Sequence, residues 1–215
     1  MRIALRSRLI FASVLGAAAL IPASAWATTA AWSGTNLTVK GQPGEANDLV
    51  LSYFNDGANK YSVFEQGAGL GITSPDNSCE PYGDGSPPAV TCVDGGLTTG
   101  VLKMGDRADA VCTCGAIPLT MSLTILGGEG GDDLTGGQAP EVIKGGRGKD
   151  VLSGGDVSSD VLVGGPGADK FFGSDYVPDQ INAKDGERDK VIDCGDGDDP
   201  KPKYDHGLDP KPLNC

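Results

Sequence analysis

The sequence predicts an all-β protein built in part from a short repeat, and three observations carry that prediction. Glycine takes 34 of the 215 positions and proline 14, against an ordinary glycine share of about 7%. No window sustains a 3.6-residue apolar period, and glycine interrupts every stretch long enough for a helix. Apolar residues recur instead at Leu134, Ile143, Leu152, Leu162, Phe171, Ile181 and Val191, spaced 9, 9, 10, 9, 10 and 10 apart. This length accommodates one or at most two domains around a narrow core, which excludes a large multidomain enzyme.

The chain opens with basic Arg2, Arg6 and Arg8, an apolar stretch from Leu9 to Ile21, and Ala25-Trp26-Ala27 as a small-x-small cleavage site. Residues 1–27 therefore read as a signal peptide for extracellular secretion, with the mature chain starting near Thr28. The apolar run is shorter than the roughly 20 residues that span a bilayer, and no second one follows, so no membrane span is expected. Formal net charge is -12, and it becomes more negative once the leader's arginines are removed. Such a surface repels nucleic acid and favours cations as partners.

Residues 28–120 give short alternating runs such as Asn36-Leu37-Thr38-Val39-Lys40 and Tyr61-Ser62-Val63-Phe64, separated by Gly, Pro, Asn and Asp clusters. These are strands and turns. Gly41 to Val50 and Gly105 to Val111 each contain a Gly turn followed by Asp-x-apolar, so two readings stand: a degenerate solenoid or a separate β domain. Trp32, Tyr53, Phe54, Tyr61 and Phe64 read as strand aromatics of the core rather than a sugar-binding stack.

All six cysteines lie beyond the leader, which favours disulfides in an oxidising compartment. Proximity suggests Cys79 with Cys92 and Cys194 with Cys215. Cys112 and Cys114 remain. Their spacing puts both on one strand face, so a local bridge would be strained, while a zinc pair lacks two further ligands. Bridging is preferred, with its pairing open.

From Gly127 to Gly173, 15 of 47 residues are glycine. A flexible linker has no reason to hold its apolar residues in register. Here an acidic residue stands two places before each: Asp132, Glu141, Asp150, Asp160, Asp169, Asp179 and Asp189. Three units, Gly127 to Thr135, Gly145 to Ser153 and Gly164 to Phe172, match Gly-Gly-x-Gly-x-Asp-x-apolar-x at every position.

Over about residues 120 to 199 this segment resembles the hemolysin-type, or repeats-in-toxin (RTX), calcium-binding nonapeptide repeat. The resemblance implies a right-handed parallel β-roll or β-helix solenoid over residues 121–199 that binds Ca²⁺. The residues support the same chemistry. Ca²⁺ takes 6 to 8 oxygens at about 2.3 to 2.6 Å, and turn carbonyls with Asp carboxylates from stacked turns are such a set. The metal-binding residues expected are Gly127, Glu129, Gly130 and Asp132; Gly145, Arg147, Gly148 and Asp150; and Gly164, Pro166, Gly167 and Asp169.

If two units make one coil, Asp132, Asp150 and Asp169 stack on one edge and Glu141, Asp160 and Asp179 on the other. The perfect units all fall on the first edge. On the second, Gly136 to Glu141 lacks the fourth-position Gly and Gly154 to Asp160 carries an extra residue. Two sites are therefore expected, both on the first edge and sharing Asp150. The pattern is expected to end after Asp199, where Pro200 and Lys201 replace the strand. Residues 200–215 then form a cap pinned by Cys194 and Cys215.

Enzyme signatures are few. His206, the only histidine, reads as a solvated tail residue, and neither His-Glu-x-x-His nor Gly-x-Ser-x-Gly occurs. The expected function is a secreted, non-enzymatic calcium-binding module, structural or adhesive, whose partner is a cell-surface or extracellular polysaccharide or protein. The competing reading is a polysaccharide lyase, epimerase or glycosidase working through carboxylates. The leader departs from the uncleaved C-terminal export signal of repeat toxins.

Overall fold

A computed structural model describes residues 27–55, 59–66, 71–74, 79–82, 89–93, 96–115, 117–155, 157–196 and 198–215. Residues 1–26, where the signal peptide is expected, lie outside them, as do Asp156 and Gly197 of the imperfect units. The described residues form strands and turns with no helix, stacked as a parallel β-solenoid.

Each coil contributes one strand to each of two sheets. The first sheet stacks β2 (Asn36–Lys40), β8 (Thr99–Asp106), β10 (Ser122–Gly130), β12 (Glu141–Gly148), β14 (Val161–Val163) and β16 (Gln180–Asn182) in parallel. The second stacks β3 (Asp48–Asn55), β9 (Ala110–Cys112), β11 (Asp133–Thr135), β13 (Val151–Ser153), β15 (Lys170–Phe172) and β17 (Val191–Asp193). The three-residue strands follow from the repeat. A nine-residue unit spends six residues on its turn and leaves three extended, of which only the middle one faces inward.

Those middle residues build the core as two facing columns. Val39, Leu102, Ile125, Ile143, Leu162 and Ile181 align along one sheet. Leu49, Val111, Leu134, Leu152, Phe171 and Ile192 align along the other. Each buried side chain of this size contributes about 1.5–3 kcal/mol. Phe171 is the largest member of its column and fully buried. Phe171→Ala is expected to cost about 3–5 kcal/mol, read as a shift in the denaturant midpoint.

One apolar position differs from the sequence reading. The inward residue of the last repeat is Ile192, paired with Phe171, and Val191 turns toward the surface. The turn from Asp189 holds one residue more than its neighbours, which shifts the strand by one and exchanges its faces.

The strands before Gly127 belong to the same two sheets, since β2 and β3 stack directly on β8 and β9. At the N-terminal end the pairing becomes antiparallel. β1 (Ala27–Ser33) folds back on β2, while β4 (Asn59–Glu65), β7 (Ala89–Val93) and β6 (Glu80–Pro81) extend the second sheet beyond β3. β5 (Gly71–Thr73), by contrast, pairs with β1 in parallel. Tyr61 is buried, and Trp32 and Tyr53 pack against the core. Phe54 and Phe64 lie on the outer face against Tyr82, with ring centroids 5.9 Å apart in each pair.

At the other end the chain after Pro200 lays down a further partial coil. Lys203 bridges to Asn182 and Leu213 to Asp193, both in parallel. Disulfides join Cys79 to Cys92, Cys112 to Cys114 and Cys194 to Cys215. His206 is exposed and lies against Tyr204, the two rings tilted by 52° with centroids 4.2 Å apart. No helix among the described residues is long and apolar enough to cross a membrane.

In the coil before the first perfect unit, Arg107 occupies the fourth turn position and has φ of 89°. A Cβ is disfavoured in that conformation by about 1 kcal/mol. Arg107→Gly is therefore expected to raise the melting temperature by a few degrees in a calorimetric scan.

Candidate metal centre

The glycines shape both edges of the solenoid. In the perfect units the second and fourth residues, such as Gly128 and Gly130, adopt φ of 118° and 145°. A Cβ on either would strike the backbone of the preceding coil, at Gly105 and Arg107. The first glycine has a different neighbour. A Cβ at Gly127, Gly145 or Gly164 would collide with the second carboxyl oxygen of Asp132, Asp150 or Asp169 in the same turn. The motif thus lets turns stack in contact and clears the space into which each aspartate folds.

Each aspartate points inward and bonds along the stack. The amide of Asp109 donates to Asp132 Oδ1 at 2.9 Å, that of Asp132 to Asp150 Oδ1 at 2.9 Å, and that of Asp150 to Asp169 Oδ1 at 2.9 Å. The file continues through Asp189 at 2.8 Å to Asp209 at 3.0 Å. At its head the Asn47 amide donates to Asp109 Oδ1 at 2.7 Å. The ladder residue of that first coil is therefore Asn47, one position before the Asp48 suggested by the sequence. Leu49, two places after Asn47, is the buried one. The ladder also runs past Asp199, contrary to expectation, because the tail carries Asp209 into the next position.

On the second edge Glu141, Asp160, Asp179 and Asp199 bond in the same way, at 2.7, 2.8 and 2.6 Å. The sequence register is thus the register of the fold: units two apart stack.

The two edges differ in their remaining oxygens. On the first, the second carboxyl oxygens of Asp109, Asp132, Asp150, Asp169 and Asp189 are all buried without a hydrogen-bond partner. Both ends of this row are closed by satisfied groups. The Asn47 carboxamide donates to Asp109 Oδ1 at 2.9 Å and accepts from the Gln42 amide at 2.6 Å. Asp209 Oδ2 accepts from the Asp205 amide at 2.6 Å. On the second edge the middle carboxylates are provided for. Ser158 donates to Asp160 at 3.1 and 3.2 Å, and the Ser174 amide to Asp179 Oδ2 at 2.6 Å. Only Glu141 Oε2 and Asp199 Oδ2, at its ends, lack a partner.

Burial raises the pKa of these carboxyls against the lowering effect of the donated amides. Asp132 is pushed up to about 6, with the charges of Asp150 and Asp109 adding to the rise. Asp169 and Asp189 are each pushed up to about 7, also chiefly by burial. Asp109, Asp150 and Asp179 rise for the same reason. Glu141 and Asp160 rise through burial and, for Glu141, the facing charge of Asp160.

A buried oxygen with no donor is costly to leave unpaired and is met by a proton, a buried water or a cation. Carboxylate oxygens are the chemistry a hard cation such as Ca²⁺ takes, and here they stand in file along the edge. Among the described residues no three His, Cys, Asp or Glu side chains gather about one point. The carboxylates are strung along the axis, so further ligands would have to come from the backbone. Glu129, Arg147 and Pro166 have exposed side chains and offer carbonyls alone. The Pro166 carbonyl accepts from the Gly148 amide at 2.9 Å, and that of Gly164 from Gly146 at 2.8 Å.

Fold and site together define a β-solenoid whose two edges are lined by internal carboxylate ladders. No known protein family, curated protein or solved structure matches the chain.

Proposed function

We propose that the protein is a secreted, calcium-binding structural or adhesive module, without enzymatic turnover, in which Ca²⁺ between stacked glycine turns completes the β-roll. The observation that carries this reading is the unbroken row of buried, unpartnered carboxylate oxygens on the first edge. Asp132, Asp150 and Asp169 supply the carboxylates. Carbonyls of Gly127, Glu129, Gly130, Gly145, Arg147, Gly148, Gly164, Pro166 and Gly167 supply the remaining oxygens. The bound ion neutralises charges that otherwise repel along the file. Ca²⁺ suits such a set better than Mg²⁺, which demands near-octahedral ligands and gives up water reluctantly.

The leader and the disulfides support an extracellular setting, where affinities for such modules are about 10⁻⁴ to 10⁻³ M. At ten times the dissociation constant one site adds roughly 1.4 kcal/mol. A polysaccharide or protein partner would be met by the region before Gly127, whose outer face carries Phe54, Phe64 and Tyr82.

The test is a calcium titration followed by circular dichroism and calorimetry, with Mg²⁺ as control. Heat and added β signal are expected with calcium alone, and their absence overturns the reading. Asp150→Ala is expected to weaken calcium-dependent folding more than Asp160→Ala, because Asp150 serves two neighbouring positions on the unpartnered edge. Equal effects would place cations on both edges.

A further inference from the structure

The three disulfides close very different loops. Cys79 and Cys92 are 13 residues apart, Cys194 and Cys215 are 21 apart, and Cys112 and Cys114 only 2. A disulfide stabilises mainly by restricting the unfolded chain, and the restriction grows with the loop. A bridge between residues two apart has almost nothing to restrict.

That bridge also lies at the end of its strand. β9 stops at Cys112, and the Cα atoms of Cys112 and Cys114 stand 5.1 Å apart, an ordinary span for a disulfide, so Cys114 lies outside the sheet ladder.

Access differs as well. Cys79, Cys92 and Cys194 are buried. Cys114 is exposed and lines an open cleft of about 300 Å³ with Gly137, Gln138, Ser153 and Val157. Cys215 is exposed too, but opening its bridge frees the tail that holds Leu213 against Asp193. Opening Cys112–Cys114 frees no such element. Thr113, between the two cysteines, stays anchored by its amide to the Thr135 carbonyl at 3.0 Å and by Oγ1 to Glu141 Oε1 at 3.1 Å.

We propose that Cys112–Cys114 is a thiol-exchange site that accepts two electrons from small external thiols while the other two bridges persist. An external thiolate entering the cleft attacks Cys114 Sγ. A mixed disulfide forms there, and the electron pair of the broken S–S bond leaves on Cys112 as a thiolate. A second external thiolate attacks the substrate sulfur of the mixed disulfide and displaces Cys114 as a thiolate. The products are one external disulfide and two cysteines, which take up the protons the external thiols released. Anchored Thr113 keeps the two thiols near each other, so an external disulfide closes the pair again by the reverse steps.

The test treats the folded full chain with dithiothreitol at low millimolar concentration, quenches with a maleimide and maps the adducts by peptide mass spectrometry. Cys112 and Cys114 are expected to label at least about tenfold faster than the other four cysteines, and oxidised glutathione is expected to abolish that labelling. The double variant Cys112→Ser/Cys114→Ser is expected to keep the parent dichroism and melting while losing the fast phase. Four results overturn the proposal. They are maleimide uptake before any reductant, earlier opening of Cys194–Cys215, release of all six thiols together, and a double variant that fails to fold, which would make the bridge a structural staple.

Discussion

Calcium-depleted protein is expected to melt at progressively lower temperature as the pH is raised from about 5 to about 8, with calcium restoring stability at the alkaline end and changing little at the acid end. The sign follows from the direction of the carboxyl shifts. Asp132 reaches about 6, and Asp169 and Asp189 about 7, whereas an unfolded aspartate titrates near 3.9. Between those values the folded chain holds protons that the unfolded chain has released, so each unit of pH favours unfolding. The stability is complete below the unfolded value and lost as pH climbs through the folded ones. On the proposed calcium reading, a cation in the same row takes over the proton's task, and its benefit is expected where the protons have left. Scanning calorimetry across this range, with and without calcium, reads both effects. A calcium-free melting temperature that rises with pH would contradict the ladder as described.

Gly148→Ala is expected to be among the most damaging single substitutions, costing about 3–5 kcal/mol or more. Its Cβ would overlap the carbonyl of Gly130 in the coil before it, and the backbone there has φ of 149°. Neither the carbonyl nor the turn can move without parting the two coils. Gly186→Ala separates this collision from simple backbone strain. Gly186 has φ of 89° but no heavy atom within 4 Å of the added carbon, so its substitution is expected to cost only about 1 kcal/mol. Urea midpoints of the two variants give the comparison, and equal losses would mean that coil contact is not what the fourth glycine protects.

The parts of the fold that depend on a strict period were legible in the sequence. Asp132, Asp150 and Asp169 stand two places before Leu134, Leu152 and Phe171, and that offset assigned both the inward column and the edge on which each carboxylate stacks. Where a coil keeps the geometry with different chemistry, the pattern misleads. Asn47 fills a ladder position because a carboxamide can both donate to Asp109 and accept from Gln42, yet a search for Asp-x-apolar selects Asp48 instead. Ile192 replaces Val191 because an extra turn residue changes the face without changing the composition. Asp209 was illegible for another reason. The prolines around it rule out an ordinary strand, but the ladder needs only one carboxylate at the right height. The partner choice of Cys112 also lay beyond the sequence, since spacing alone argued against the bond that forms.

The direction of the ladder has a consequence for assembly. Every ladder amide finds its carboxylate in the coil that comes after it in the chain, never in the one before. A polypeptide made from its amino end onward therefore carries an unanswered ladder amide on each edge of the growing face, and each new coil satisfies the last pair while exposing another. Such a stack is finished only from behind, when Asp209 arrives and the bond between Cys194 and Cys215 locks the final residues in place.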